Sequence, residues 1–468
     1  MSAYIDGALV IGYIVAIFVI GIMLYRRSRS YDDYLVAGRK FNVFFIAITL
    51  TAMISSATLG VAGLGYSFGL MGAWFFIMLG VGAWILLFTV GGRLRALAQY
   101  SLTDVFDLRY NASSRVTITI LGTLAYIVLL SIGFVGGGMV LQSIFDIPLF
   151  PAMLIMAVPF ITYTALGGLW ASAITNIIKF IILVAGLLIL IPTGILKAGG
   201  WEKLTTVLPS GALNPFSSDA LLFVWAFFWV MTLSMWVAAD IYQMLFSAKS
   251  VRTAKVGLGI AGLLMILMGL VVAFIGLCAK ASFPDIQQPE AAIPTLAATL
   301  PPGLRGFVAI AMLGGSAIAV VIFQIVACTL LVRGLWPKTQ VSINKIRVLS
   351  ALMGVIGLIF AGLFPNIIFL TELTFRIMIP ATFLPALAAF YWKRATATGA
   401  IAASLSGAVV SGLWTFLVLP GLSPQLQSIL EPTFIGVVAS LIGLLIGSYV
   451  SQPPSPSKWQ LFTSHQKS

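Results

Sequence analysis

Long apolar stretches alternate with short polar connections along almost the whole chain. Thirteen of them are long enough to cross a ~30 Å hydrocarbon layer as a helix, which needs about 20 apolar residues. Helices are predicted because a spanning segment must satisfy its own backbone groups, and the alternating strands of a membrane barrel are not seen. The segments cover approximately residues 5–25, 42–66, 71–92, 117–145, 149–168, 171–196, 218–246, 253–280, 306–332, 344–364, 367–391, 396–419 and 432–450.

The connections predict a single membrane domain over residues 1–451. Two of them are sizeable, residues 197–217 and 281–305, and residues 452–468 form a short polar tail. The first segment is too long for a signal-peptide core, and no basic residue precedes it, so we expect it to be retained as a span.

Basic residues predict the orientation, because cytoplasmic loops carry an excess of Lys and Arg. An outer N-terminus puts twenty of the 26 basic residues on the cytoplasmic side: Arg26, Arg27, Arg29, Arg39, Lys40, Arg93, Arg95, Arg109, Arg115, Lys249, Arg252, Lys255, Arg333, Lys338, Lys345, Arg347, Lys393, Arg394, Lys458 and Lys467. Four lie outside: Lys197, Lys203, Lys280 and Arg305. We therefore expect a multi-pass protein of the cell (cytoplasmic) membrane with a cytoplasmic C-terminus.

Composition excludes several classes of protein. Hydrophobic residues make up 60% of the 468 positions and charged residues only 8%, against about 25% charged in soluble domains. A soluble enzyme, a disordered chain and a nucleic-acid-binding domain are thereby excluded, and the net charge of +13 follows from the loops. Cys278, Cys328 and the single histidine, His465, provide no disulfide framework, metal spacing or catalytic triad.

The second segment carries Ser55, Ser56 and Thr58, followed by Gly60, Gly63 and Gly65. Small and hydroxyl residues weaken a helix, and broken helices near the membrane midplane bind ions and solutes in many transporters. Close helix packing explains the same residues equally well.

The seventh segment is rich in aromatic residues, among them Trp225 and Trp229. Such a stripe is more often core or lipid-facing than a ligand site, and a substrate-lining role is the alternative. Asp240 comes late in this segment, and we expect it at the inner interface or in a cytoplasmic gate.

A charged residue well inside a segment is costly and indicates function. Lys179 lies about 13 Å into its helix at ~1.5 Å per residue, with Asn176 on the same face. An internal site is predicted for Lys179, with snorkelling or a static pair as the alternative. Glu372 and Arg376 are four residues apart and are predicted to form an ion pair.

Five stretches resemble the sodium:solute symporter family. They are residues 31–39 (YDDYLVAGR), 60–69 (GVAGLGYSFG), 101–110 (SLTDVFDLRY), 163–171 (YTALGGLWA) and 391–400 (YWKRATATGA). The resemblance implies an all-α LeuT-type fold with two inverted repeats, about residues 42–196 and 218–391. It also implies broken second and seventh segments, alternating access, and Na⁺ as the coupling ion.

The sequence departs from the family pattern at the residues that the resemblance connects with sodium. The family's TDxxQ reads TNIIK at residues 175–179, and Ile318 and Ala319 align with hydroxyl positions, leaving Ser316 nearby. The arginine of the family's yQR pattern is replaced by Met244.

These departures lead to a hypothesis about coupling. Sodium prefers oxygen ligands, and an ammonium on the same face repels it. Lys179 would occupy or overlook the vacated sodium position, and transport would be proton-coupled or uncoupled. Because Ser55, Ser56 and Thr58 remain able to line a site, sodium coupling stays open.

The leading function is a secondary active transporter for a small organic solute, with a membrane sensor as the alternative. A channel ranks third, and an enzyme is not expected because no catalytic set converges. Lys179 and Arg376 mildly favour a carboxylate solute. We expect membrane lipid and the solute as partners, a monomer or weak oligomer, and no cofactor apart from Na⁺ as coupling ion.

Overall fold

The computed structural model describes residues 2–23, 30–216, 220–337, 339 and 341–463. Within these residues the chain is helical and contains no β-strand. Five basic residues used above for orientation lie outside this part of the chain, namely Arg26, Arg27, Arg29, Lys338 and Lys467. His465 and the ends of two predicted segments, residues 24–25 and 218–219, also lie outside it.

Twenty-two α-helices follow one another in the described residues. They are α1 (Ser2–Met23), α2 (Tyr31–Val36), α3 (Val43–Met53), α4 (Thr58–Phe68), α5 (Trp74–Leu86), α6 (Gly92–Leu97), α7 (Leu102–Arg109), α8 (Ala112–Phe145), α9 (Leu149–Lys197), α10 (Trp201–Val207), α11 (Ala220–Phe227), α12 (Leu233–Val237), α13 (Ala239–Ser247), α14 (Val251–Ser282), α15 (Ala292–Ala298), α16 (Leu304–Leu335), α17 (Ile343–Leu363), α18 (Ile367–Tyr391), α19 (Ala397–Leu413), α20 (Pro424–Ile429), α21 (Pro432–Val450) and α22 (Pro456–Thr463).

Twelve stretches of the described residues are long and apolar enough to cross a membrane. This differs from the thirteen predicted segments because residues 42–66 and 71–92 fall in one continuous stretch, Val43–Leu97. The chain reverses there at Gly69, whose φ of 65° suits glycine. A similar reversal at Gly168, with φ 59°, divides α9 into two spans.

The bundle is built around α16. In its most apolar stretch 94% of the residues are buried, the largest share of any span described. This is because α8, α9, α1 and α17 surround it. On the other side, α14 packs against α3, α4 and α5. Helices α18, α19 and α21 form a third packed group. Large apolar side chains such as Leu221 and Val450 stay exposed, as expected of a surface that faces lipid.

Residues 198–216 and 283–303 lie at the same end of the bundle, which we name the long-loop end. The backbone N–H of Leu70 donates to the carbonyl of Ala212 (2.8 Å), and the hydroxyl of Tyr66 donates to the carbonyl of Phe283 (2.8 Å). The opposite, short-loop end carries α22, where Phe462 is buried against Phe390. The residues predicted to be a plain tail therefore include a docked helix.

Glycine permits the close approach of α4 and α14. The backbone of Gly276 lies against the carbonyl oxygen of Ala62, and that of Gly65 against the carbonyl of Ala273. A side chain at either glycine would overlap backbone atoms of the facing helix. The two helices therefore depend on these glycines for their spacing.

Replacing Gly276 with leucine is expected to destabilise the bundle by about 3 kcal/mol, because the facing backbone cannot give way. Gly12→Leu is the matched control, since Gly12 is exposed with open space around it. Thermal unfolding and size-exclusion profiles of both variants in detergent provide the measurement. Equal stability of the two variants would contradict the described packing.

Candidate functional site

Two helices are interrupted at corresponding places in the bundle. A 3₁₀ turn, Ile54–Ala57, separates α3 from α4. The second break is at Ala238 between α12 and α13, where ψ is 105°. Each break frees backbone groups from helical bonding, and such groups are tolerated inside a membrane only where they line a cavity or are buried in protein.

A narrow cavity of about 70 Å³ lies between the two breaks; we name it the central cavity. Its walls are mainly apolar and consist largely of aromatic rings and thioethers, including Phe75, Phe76, Phe323, Phe375, Met231 and Met235. The chemistry of this lining suits the apolar body of a small organic molecule.

Few polar side chains line the central cavity. Ser56 comes from the first break, Ser234 and Asp240 flank the second, and Thr371 comes from α18. The Ser234 hydroxyl donates to the carbonyl of Met231 (2.7 Å), and that of Thr371 to its own helix (2.8 Å). The hydroxyls of Ser234 and Thr371 thus already have acceptors. Among the described lining residues Asp240 is the charged one.

Asp240 lies in the first turn of α13, directly after the break, and is 6% exposed. The hydroxyl of Tyr126 donates a short hydrogen bond to its carboxylate and accepts one from its backbone N–H (3.1 Å). The sequence placed Asp240 at the inner interface or in a gate. The structure instead places it in the cavity wall, because the helix break brings α13 back toward the centre.

Ser55 joins the first break to α16. Its hydroxyl approaches the carbonyl oxygens of Ala52 (2.5 Å) and Gly315 (3.3 Å). The carbonyl of Ser55 also lies against Gly315. We name this group the Ser55 junction; it is a cluster of neutral oxygens, which is the ligand type that hard cations prefer.

The other predicted hydroxyl residues lie beside the cavity. Thr58 begins α4, and its buried hydroxyl has no hydrogen-bond partner among the described residues. Ser316 points its hydroxyl at Gly136 of α8, and its carbonyl lies against Gly133. The glycines of the fourth segment thus provide close packing around α16.

Lys179 is fully buried in the second half of α9. Its ammonium donates a short hydrogen bond to the hydroxyl of Tyr163 and approaches the Asn176 carbonyl (3.3 Å). The rings of Phe160 and Tyr163 lie 5.2 and 5.1 Å from its nitrogen. Leu183, one turn further along α9, packs against Gly315. The ammonium is therefore directed at the first half of α9, beside the Ser55 junction and outside the central-cavity lining.

The aromatic stripe of the seventh segment faces α21. Trp225 and Trp229 pack against Phe434, with ring centroids 5.6 and 4.9 Å away. The Trp225 indole N–H donates to the carbonyl of Ile429 (3.2 Å). Neither tryptophan lines the central cavity.

The predicted ion pair between Glu372 and Arg376 is present, with 3.0 Å between the charged atoms. Arg376 also binds Glu431, at the start of α21, at 3.0 Å. The sequence analysis missed Glu431 because its partner is distant along the chain. The pair of Arg376 with Glu431 ties α18 to α21. Thr371 and Phe375 are the residues of α18 that line the central cavity, and Arg376 is not among the lining residues.

A second cavity of about 400 Å³ lies at the long-loop end, lined by Gln287, Gln288, Glu290 and Asn366. Gly60 and Ile368 touch each other in its wall, and each is three residues from a residue that lines the central cavity, Ala57 and Thr371 respectively. Burial raises the pKa of Glu290, and the backbone N–H of Ile368 opposes the shift. This arrangement resembles a vestibule closed at its inner end.

A membrane bundle with two broken helices around an enclosed cavity is the architecture of secondary transporters. Residues 34–407 match the sodium:solute symporter family. The chain belongs to that family, as the sequence motifs predicted, and the family consists of secondary active solute symporters.

Named relatives and solved structures are similar over nearly the whole chain. The sodium/pantothenate symporter of Haemophilus influenzae is 26% identical, covering 93% of this chain and 95% of its own. The high-affinity proline transporter of Bacillus subtilis is 24% identical, covering 96% and 98%. A Na⁺-coupled sialic acid symporter, in a substrate-bound outward-open state, matches with a TM-score of 0.79 and 17% identity, covering 96% and 99%. The predicted all-α LeuT-type fold is confirmed.

The cavity assignment predicts different effects for two aromatic substitutions. Phe75→Ala removes a cavity wall and is expected to weaken solute affinity about 10-fold, from the loss of apolar contact. Trp225→Ala lies outside the lining and is expected to leave affinity unchanged. Uptake kinetics of a solute found by a thermal-shift screen provide the measurement. A larger loss in Trp225→Ala would indicate that the aromatic stripe holds the solute.

Proposed function

We propose that this chain moves a small organic solute across the cell membrane by alternating access, binding it in the central cavity. The observation that carries the proposal is the enclosed cavity between two helix breaks. Closure of the vestibule by Gly60 and Ile368 supplies one barrier of the two that alternating access requires. The role is transport rather than catalysis.

The domain organisation follows from the two breaks. We propose one transporter domain over residues 1–451, with repeats at about residues 42–196 and 218–391. In support, the first span of each repeat is the broken one, α3–α4 in the first and α11–α13 in the second. The exposed apolar side chains, such as Leu221 and Val450, support a chain embedded in lipid. We propose that it is a monomer or a weak oligomer.

The solute has an apolar body that fits among rings and thioethers. The sequence argument for a carboxylate rested on Lys179 and Arg376, and neither lies in the central-cavity lining. The pantothenate, proline and sialic acid symporters show by their names that related chains accept varied solutes. The residues that line this cavity therefore indicate the chemistry of the solute better than the names of the relatives do.

Sodium is the coupling ion that the family and its named relatives support. The Ser55 junction provides the oxygens for it, in the carbonyls of Ala52, Ser55 and Gly315. Lys179 favours a second candidate, coupling to protons, because it is an ammonium buried beside this junction. The contacts of Lys179 with Tyr163 and Asn176 leave the junction itself free of a charged side chain, so sodium is preferred.

Uptake into proteoliposomes under imposed ion gradients tests the coupling. A Na⁺ gradient alone is expected to drive solute accumulation, and the Lys179→Met variant is expected to keep the Na⁺ stimulation. Lys203→Met, at an exposed position on α10, is the matched control. Accumulation driven by protons alone, and lost in Lys179→Met, would establish the proton mechanism instead. Uptake that follows neither gradient would contradict both.

The orientation is proposed from the loop charges, with the long-loop end outside the cell and the C-terminus in the cytoplasm. Thr205 on α10 and Gln452 beyond α21 are both exposed, while Cys278 and Cys328 are buried. A membrane-impermeant maleimide is expected to label Thr205→Cys in intact cells and Gln452→Cys only after permeabilisation. The reverse pattern would invert the topology.

A further inference from the structure

Asp240 differs from the other buried acids in having no cationic partner. Four acidic side chains are buried among the described residues: Asp6, Asp104, Asp240 and Glu431. Asp6 pairs with Arg305 at 2.5 Å, Asp104 with Arg333 at 2.8 Å and Glu431 with Arg376 at 3.0 Å. The carboxylate of Asp240 has only the neutral hydroxyl of Tyr126 as its side-chain partner.

The central cavity supplies no cation for it either. No Lys, Arg or His lies among the lining residues in the described part of the chain. A buried carboxylate is stable only when it is paired and hydrogen-bonded, since its desolvation costs several kcal/mol. A cation that enters the cavity would therefore find a carboxyl group without a cationic partner in its wall.

The surroundings of Asp240 suit a nitrogen cation better than a metal ion. Sodium needs several oxygen ligands, whereas the wall that Asp240 shares is mainly apolar and includes Tyr126, whose ring packs against Phe323. Aromatic faces attract organic ammonium groups. The neutral oxygens that sodium prefers are grouped instead at the Ser55 junction.

We propose that Asp240, positioned by Tyr126, pairs with a positively charged nitrogen of the solute, so that this transporter takes amines or amino-acid-like compounds with an apolar body. The inference rests on the proposed function, because it assigns the solute class for the central cavity. Tyr126 acts as a positioning residue: its hydroxyl bonds to both the carboxylate and the backbone N–H of Asp240, which fixes the carboxylate toward the cavity.

Thermal shifts of the purified full-length protein test this with matched sets of probes that share one apolar body. One set is benzylamine, benzyl alcohol and benzoate; another is cyclohexylamine, cyclohexanol and cyclohexanecarboxylate; proline and leucine are the amino acids. Shifts are expected only with compounds that carry a positive nitrogen, and without Na⁺. Shifts with the alcohols or carboxylates, or with no nitrogen compound at millimolar concentration, would overturn the proposal.

Variants separate recognition from folding. Asp240→Asn is expected to weaken amine binding about 100-fold, whereas Asp146→Asn, at an exposed acid, is expected to leave it unchanged. Tyr126→Phe keeps the carboxylate and is expected to weaken binding about 10-fold. Asp240→Glu should restore part of the binding that Asp240→Asn loses.

Undiminished amine binding by a folded Asp240→Asn protein would overturn the proposal. A Na⁺-induced shift lost in Asp240→Asn, with amine binding intact, would assign Asp240 to the ion and overturn it as well.

Measuring transport of the bound compound separates failure of the role of Asp240 from failure of the proposed function. Uptake of a solute that has no positive nitrogen would overturn the role of Asp240 and leave the proposed function standing. Amine binding that requires Asp240, with no gradient-driven uptake, would overturn the proposed function and leave the recognition site standing.

Discussion

The requirement that buried backbone groups find hydrogen-bond partners governs this structure. Inside a bilayer, a chain satisfies this requirement by staying helical, and it departs from the helix only where protein or a cavity surrounds the exposed groups. The departures at Ile54–Ala57 and at Ala238 are therefore meaningful. Both lie beside the same enclosed space, which is why the fold and the site have to be explained together.

The same reasoning extends from backbone groups to charges. Each acid that is buried outside the central cavity in the described residues is paired with an arginine. These pairs tie distant parts of the chain together: α1 to the start of α16, α7 to the end of α16, and α18 to α21. Asp240 differs, because its side-chain partner in the described residues is the neutral hydroxyl of Tyr126. Its position at a helix break, next to an apolar cavity, gives it a place in solute recognition.

Much of the fold was predictable because span length and hydrophobicity depend on local sequence. The family motifs added the arrangement of the helices. The turn at Gly69 falls between two predicted segments, residues 42–66 and 71–92. The docking of α22 was less predictable, because it depends on tertiary contact with Phe390, far along the chain. Ser56, one of the three clustered hydroxyl residues for which the sequence left a binding site and close packing open, lines the cavity.

Other parts of the site could not be inferred from sequence because they depend on the rotation of each helix. Tyr126 is a single tyrosine in an apolar span, and no local pattern marks it as the partner of Asp240. Lys179 and Trp225 carry strong sequence signals, yet the former faces Tyr163 and the latter Phe434. Residue type alone does not say which neighbour a helix face meets.

The central claim, that the solute occupies the space between the two breaks, is tested most directly by solute protection of a cysteine placed there. Ser234→Cys puts a thiol in the cavity wall, while the native cysteines are buried away from it. The account predicts that a transported solute slows modification of this thiol by a small methanethiosulfonate reagent in proportion to its occupancy. An unchanged modification rate at saturating solute would contradict the account.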